Sequence, residues 1–338
     1  MSKLFSPLSF SGLTVRNRIV MPPMATALEG PGGAVADDGR PGEPTVAYYA
    51  ERSRNGVGLL IVEHTYVDKR GKAHRGQFGL DSDEAVPAFR RLAEAIKSGG
   101  AVAAIQLNHA GAAANPEVTG GQPLGPSAVP VPRSERVPRA LSVDEIREIQ
   151  AAFAAAARRA KQAGFDAVEI HSAHGYLGSQ FLSPLTNRRA DEYGDSLENR
   201  ARFIVETLER VRAEVGDDFP LFVRLGCVDN LEGGFDPDQA AAVARLLAAA
   251  GAAMIDVSGG FGGSRPAGAA PGYFVPAART VKRAVGIPVM VTGGITEASF
   301  AEKILQDGDA DLIGIGRALL RDARWVIAAR ESLEANRG

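Results

Sequence analysis

Eight short apolar runs recur along this chain with amphipathic helical patterns between them, and this alternation constrains the fold more than any other feature. The runs are residues 18–21, 58–62, 102–107, 167–170, 221–225, 253–257, 288–291 and 312–315, all too short to be helices and rich enough in Val, Ile and Leu to be buried strands. Helix starts between them are legible. Ser142-x-x-Glu145 is a capping-box pattern, followed by Ile146, Ile149 and Phe153 on one face. Ser196 opens another helix, with Phe203, Ile204, Thr207, Leu208 and Val211 as its inward stripe. Two more are expected over residues 238–250 and 273–285. Eight strand–helix units in 338 residues predict an α/β fold, a (β/α)8 TIM barrel. A doubly wound sheet shows the same alternation. The barrel is favoured because no Gly-x-Gly-x-x-Gly opens a helix after a strand, and because polar residues follow many different strands: Glu63, His64, Gln106, His171, Arg224, Ser258, Gly293 and Arg317.

Composition narrows the class. A formal charge of −2 gives no broad attraction for nucleic acid or anionic membrane. No apolar run reaches membrane-spanning length, and the first residues lack the apolar core of a signal peptide, so a cytoplasmic location is expected. Cys227 is the single cysteine, which excludes an intrachain disulfide, a cysteine-held iron–sulfur cluster and a CxxC zinc site. A stretch rich in Gly, Pro and Ser over residues 111–140 reads as an irregular excursion between the third strand and third helix. No linker divides two cores, and residues 1–338 are expected to form one domain.

The chemistry concentrates where His171, His174 and Tyr176 follow the fourth strand. Two imidazoles beside a phenol suit a site that holds a carbonyl oxygen while a proton is delivered to a neighbouring carbon. A zinc site at His171 and His174 is the alternative, but it needs a third ligand that no short spacing supplies. Gly293 and Gly294 after the seventh strand, and Gly316 and Arg317 after the eighth, read as a phosphate cup. Gln106 can donate and accept at the edge of a heteroaromatic ring. Arg224 either stabilises charge on such a ring or pairs with Asp256 or Glu169. His74 reads as a surface residue, and Cys227 has no nearby activating group.

With Asn17-Arg18-Ile19-Val20-Met21, Gln106-Leu107-Asn108-His109-Ala110-Gly111, the 171–188 block, Asp191-Glu192-Tyr193-Gly194 and Gly314-Ile315-Gly316-Arg317 in this order, the sequence resembles the Old Yellow Enzyme family of FMN-dependent NAD(P)H:flavin oxidoreductases. The resemblance runs from Leu4 to about Asp322. It implies a barrel that binds FMN at its carboxyl face, with NADPH or NADH as hydride donor. Pro23, Met24, Ala25 and Thr26 match the segment along the flavin ring, Gln106 and Arg224 the groups at its pyrimidine end, and Gly293, Gly294, Gly316 and Arg317 the phosphate site. His171 and His174 match the pair that binds an enone oxygen, and Tyr176 the acid that protonates the α carbon after hydride transfer from flavin N5. The implied activity is reduction of the C=C bond of an α,β-unsaturated carbonyl compound. A dehydrogenase or demethylase acting on an amine or cyclic alcohol, and a flavin- or phosphate-binding barrel with little catalysis, are the alternatives. A dimer or tetramer is expected, in which Arg337 is a candidate to enter a neighbour's site.

Three positions depart from the family pattern. Ala112 stands where an arginine is usual, Ala25 replaces a flavin-tuning cysteine, and His64 replaces a small residue and is expected to narrow the flavin pocket. The barrel is also similar to that of 2,4-dienoyl-CoA reductases, which carry an iron–sulfur segment after it. With one cysteine, electrons are expected to pass directly from NAD(P)H to FMN.

Overall fold

The computed structural model describes residues 2–26, 28, 39–132 and 134–335. Its centre is a closed parallel barrel of eight strands: β1 (Ile19–Met21), β2 (Leu59–Tyr66), β3 (Val102–Asn108), β4 (Ala167–Ser172), β5 (Leu221–Gly226), β6 (Met254–Ser258), β7 (Val289–Val291) and β8 (Leu312–Gly314). Every strand pairs with its sequence neighbour, and β8 closes on β1 through Ile313 opposite Ile19. Each of the eight expected runs is a barrel strand, and closure removes the doubly wound alternative.

Helices follow the strands in turn: α1 (Glu43–Arg54), α2 (Val86–Ser98), α3 (Val143–Gln162), α4 (Leu197–Val215), α5 (Pro237–Ala249), α6 (Val275–Ala284), α7 (Ala298–Gln306) and α8 (Trp325–Ala335). The expected caps form. Ser142 and Glu145 exchange both bonds of a capping box at α3, and Ser196 Oγ accepts from the Asn199 amide at α4. Ile146, Ile149, Phe153, Phe203, Ile204 and Leu208 are buried against the strands, as their spacing requires. The sixth helix starts at Val275, two residues later than expected, leaving Tyr273 in the preceding loop.

One apolar layer lies between strands and helices, and a second fills the barrel. The inner layer is built from Val20, Leu59, Ile61, Ala104, Ala167, Phe222, Met254, Met290 and Leu312. Its amino end is plugged by a hairpin that the sequence reading missed, Leu8–Phe10 paired with Leu13–Val15. The signal was present: alternating Leu8, Phe10, Leu13 and Val15 around Ser11-Gly12, both at positive φ. Phe10 stands 6.0 Å from Phe222 between ring centroids. The 111–140 excursion carries a short helix (Pro116–Thr119), capped by Asn115, and a two-residue ladder pairing Leu124–Gly125 with Arg139–Ala140. No helix among the described residues is long and apolar enough to cross a membrane. Arg337 lies outside the described residues.

Candidate active site

Inward side chains recur every second residue along a strand, so each apolar position in the barrel is followed two residues on by a position facing the carboxyl mouth. On strands β2 to β6 those next positions are polar. Glu63 follows Ile61, Gln106 follows Ala104, Glu169 and then His171 follow Ala167, Arg224 follows Phe222, and Asp256 and Ser258 follow Met254. All seven are buried. Strand register sets Gln106 beside Glu169, and Arg224 between His171 and Asp256.

Gln106 Nε2 donates to Glu169 Oε1 at 2.8 Å, which leaves its carbonyl oxygen as the remaining acceptor. Arg224 Nε lies 3.1 Å from Asp256 Oδ2, so the ion pair considered from sequence is present, although its angle is too poor for a hydrogen bond. The guanidinium also donates to Pro23 O at 3.4 Å and Ser258 Oγ at 3.5 Å. Burial and the neighbouring Asp256 push Glu169 well above the usual carboxylate range. Burial also raises Asp256, against the pull of Arg224.

His171, His174 and Tyr176 come together as expected. The His171 ring centroid is 5.1 Å from that of His174 and 5.2 Å from that of Tyr176, both edge-on. The chain turns sharply to achieve this. His174 and Gly175 have φ of +58° and +74°, a conformation that is costly for histidine. A bond from the His174 amide to Gly259 O at 2.9 Å helps to hold it. Ser258 Oγ stands 2.7 Å from His174 Nε2. Arg224 has only donors, so Ser258 accepts from it and can give its own proton to His174 Nε2, leaving the imidazole proton on Nδ1. Burial, with Arg224 adding to it, holds both histidines well below the ordinary value, which favours the neutral rings. His171 Nδ1 is buried without a partner among the described residues, a polar atom left for a ligand. Burial raises Tyr176 above the ordinary phenol value, which keeps its proton in place at neutral pH. Two histidines do not make a metal site, and among the described residues no group of three His, Cys, Asp or Glu side chains is placed to hold one.

The glycine-bearing turns after β7 and β8 meet in a cleft of about 550 Å³ lined by Met24, Tyr273, Gly293, Gly294, Gly316 and Arg317. Glycine is needed here. Gly294 has φ +71°, and a Cβ on it would stand 3.0 Å from the Tyr273 ring and 3.4 Å from the Arg317 guanidinium. A Cβ on Gly316 would stand 2.9 Å from Met24 Sδ. Arg317 makes one long bond among the described residues, to the Tyr273 hydroxyl at 3.5 Å. A cradle of bare backbone with a lightly committed guanidinium fits a phosphate. The buried donors and acceptors of Gln106 and Arg224 fit the polar edge of a flavin. Thr26 of the first loop donates through Oγ1 to Glu63 at 2.6 Å, tying that segment to the barrel mouth. Tyr273, unassigned from sequence, lines this cleft; its signal was its place at the end of a Gly- and Pro-rich loop.

His74 is corrected. It is half-buried rather than at the surface, with Nε2 3.3 Å from His64 Nε2. Cys227 is buried, and its thiol is pushed up by burial and by Asp256, so it is unreactive.

Comparison with known proteins agrees with this geometry. The profile of the NADH:flavin oxidoreductase / NADH oxidase family matches residues 3–336. An NADPH dehydrogenase of Geobacillus sp. (strain WCH70) is 42% identical over 330 residues, covering 98% of this chain and 94% of the relative. An NADH oxidase of Thermoanaerobacter brockii is 42% identical over 335 residues, covering 97% of this chain, which spans only 50% of that longer protein. The solved structure of morphinone reductase superposes with a TM-score of 0.84 at 29% identity, covering 98% of this chain and 90% of that one. The chain therefore belongs to the NADH:flavin oxidoreductase / NADH oxidase family, the FMN-dependent NAD(P)H oxidoreductases of Old Yellow Enzyme type.

Proposed function

We propose that this protein is an ene-reductase, which reduces the C=C bond of α,β-unsaturated carbonyl compounds. The observation that carries this reading is the convergence of two neutral imidazoles and a protonated phenol at the end of β4, with His171 Nδ1 lacking a partner among the described residues. Bound FMN supplies hydride exchange, from NADPH or NADH and onward to substrate. The protein's own groups divide the remaining work. His171 and His174 donate to the carbonyl oxygen and stabilise the negative charge that develops there. Tyr176 gives its proton to the α carbon. Gln106, Arg224 and the Pro23–Thr26 segment hold the flavin ring, while Gly293, Gly294, Gly316 and Arg317 hold the phosphate. Placing a neutral acid beside a carbonyl clamp suits reduction of an uncharged, polarised alkene.

An anaerobic visible spectrum tests this directly. Flavin bands should bleach with NADPH or NADH and return on addition of cyclohexenone. Reduced protein that cyclohexenone fails to reoxidise would reject the ene-reductase reading and leave the family assignment intact.

A further inference from the structure

His64 stands where the family resemblance leads one to expect a small residue, and the structure shows what the imidazole touches. Strand β2 carries a bulge against β3: Val62 pairs with Ile105 and Thr65 with Leu107, so Glu63 and His64 together face the single position Gln106. A bulge re-aims side chains. Here Glu63 meets Thr26, and the His64 ring is laid against Tyr176, with centroids 5.6 Å apart and planes 14° from parallel.

The hydrogen bonds around His64 fix where its proton resides. Gln77 Oε1 accepts from the Ala73 amide at 2.6 Å, which sets the orientation of the Gln77 amide. Its NH2 group therefore faces His64, 3.1 Å from Nδ1 and 3.3 Å from the His64 carbonyl. Nδ1 is thus an acceptor, and the neutral ring carries its proton on Nε2. That N–H points to His74 Nε2 at 3.3 Å, and His74 in turn donates from Nδ1 to Arg75 O at 2.9 Å. Burial holds His64 down to about 3, so the neutral ring persists across the working pH range.

We propose that His64 is a positioning residue for Tyr176, a ring locked in one tautomer by Gln77 and His74 against which the phenol is stacked. The inference rests on the reading of Tyr176 as proton donor. The phenol stacks on one face against His64 and meets His171 in a T-shaped contact, and together these restrict its plane. Placement of a proton donor is steeply rate-determining, and displacement by an ångström has large kinetic consequences. His64 also links the 73–77 segment, through Gln77 and His74, to Tyr176 just beyond β4.

The test separates the two half-reactions in the FMN-loaded protein. His64→Ala should slow cyclohexenone-driven reoxidation about ten-fold, and by more than it changes flavin reduction by NADPH in the same FMN-loaded protein. In a Tyr176→Phe background the same substitution should add no further loss. An equal further loss there would overturn the inference, because His64 would then act independently of the phenol; so would unchanged reoxidation in the single variant. Tyr176→Phe alone leaving reoxidation unchanged would instead reject the proton-donor reading and, with it, the catalytic meaning of the stack. Should His64→Ala fail to fold, the half-buried His74→Ala removes the acceptor of the Nε2 proton and should give a two- to three-fold loss of the same kind, roughly the effect of one weakened hydrogen bond. Nitrogen-15 spectra of the histidine rings provide a readout apart from activity. Wild-type His64 should show a protonated Nε2 and a bare Nδ1, and the opposite tautomer would overturn the locking.

Discussion

The two ends of the barrel interior are built from the same strands and do opposite work. At the amino end Ala104, Ala167, Phe222 and Met254 fill the barrel with side chains that need no partner, and Phe10 closes it. Two residues further along those strands stand Gln106, Glu169, Arg224 and Asp256, all buried and all polar. Apolar burial stabilises; buried polar groups cost free energy unless satisfied, and several atoms here lack partners among the described residues, including Glu169 Oε2 and His171 Nδ1. The amino end therefore supports a carboxyl end that is poorly satisfied by protein alone, as expected of a surface shaped for a cofactor and a substrate.

The comparison can be broken at either end. Phe222→Ala removes the largest buried side chain of the inner layer and should destabilise the fold by about 3–5 kcal/mol in urea unfolding. A loss of a few tenths would show that the inner layer contributes little. The polar end makes stability depend on pH. His64, His109, His171 and His174 are held below the ordinary value by burial, so they bind protons in the unfolded chain but not in the folded one as pH falls through about 6.5. Each contributes a loss of up to about 1.4 kcal/mol per pH unit below that point. Glu169 and Asp256 are raised and oppose this, binding protons in the folded state while the unfolded carboxylates remain charged above about pH 4. Four histidines outweigh two carboxyls, and stability should fall between about pH 6.5 and pH 5. Urea midpoints that rise on acidification over this range would contradict the assignment of neutral buried histidines.

Smaller effects sharpen the division. Arg317→Leu should weaken FMN binding by about 10- to 100-fold, the loss of one charge-assisted contact, without lowering the urea midpoint of the apoprotein. Ser142→Ala, remote from both ends at the cap of α3, should cost about 1 kcal/mol of stability and leave FMN affinity unchanged.

The same division explains what was legible in the sequence. Strand positions followed from apolar runs, and helix starts from Ser142 and Ser196, because local spacing alone determines them. The grouping of His171, His174 and Tyr176 followed from adjacency along the chain. The bulge at Glu63–His64 was not legible, since one extra residue against Gln106 is a property of two strands in register. For the same reason His74 read as a surface residue: its neighbour His64 is brought to it by the fold. The choice of Asp256 over Glu169 as the Arg224 partner likewise depends on register, where Arg224 lies directly beside Asp256.

The central claim is that Tyr176 donates the proton at a site where His171 and His174 hold the carbonyl. Rapid mixing of NADPH-reduced protein with cyclohexenone, wild type against Tyr176→Phe, tests it most directly. The account predicts reoxidation slowed by about 10²- to 10⁴-fold in the variant, with flavin reduction by NADPH unchanged. Reoxidation at the wild-type rate in Tyr176→Phe would contradict it.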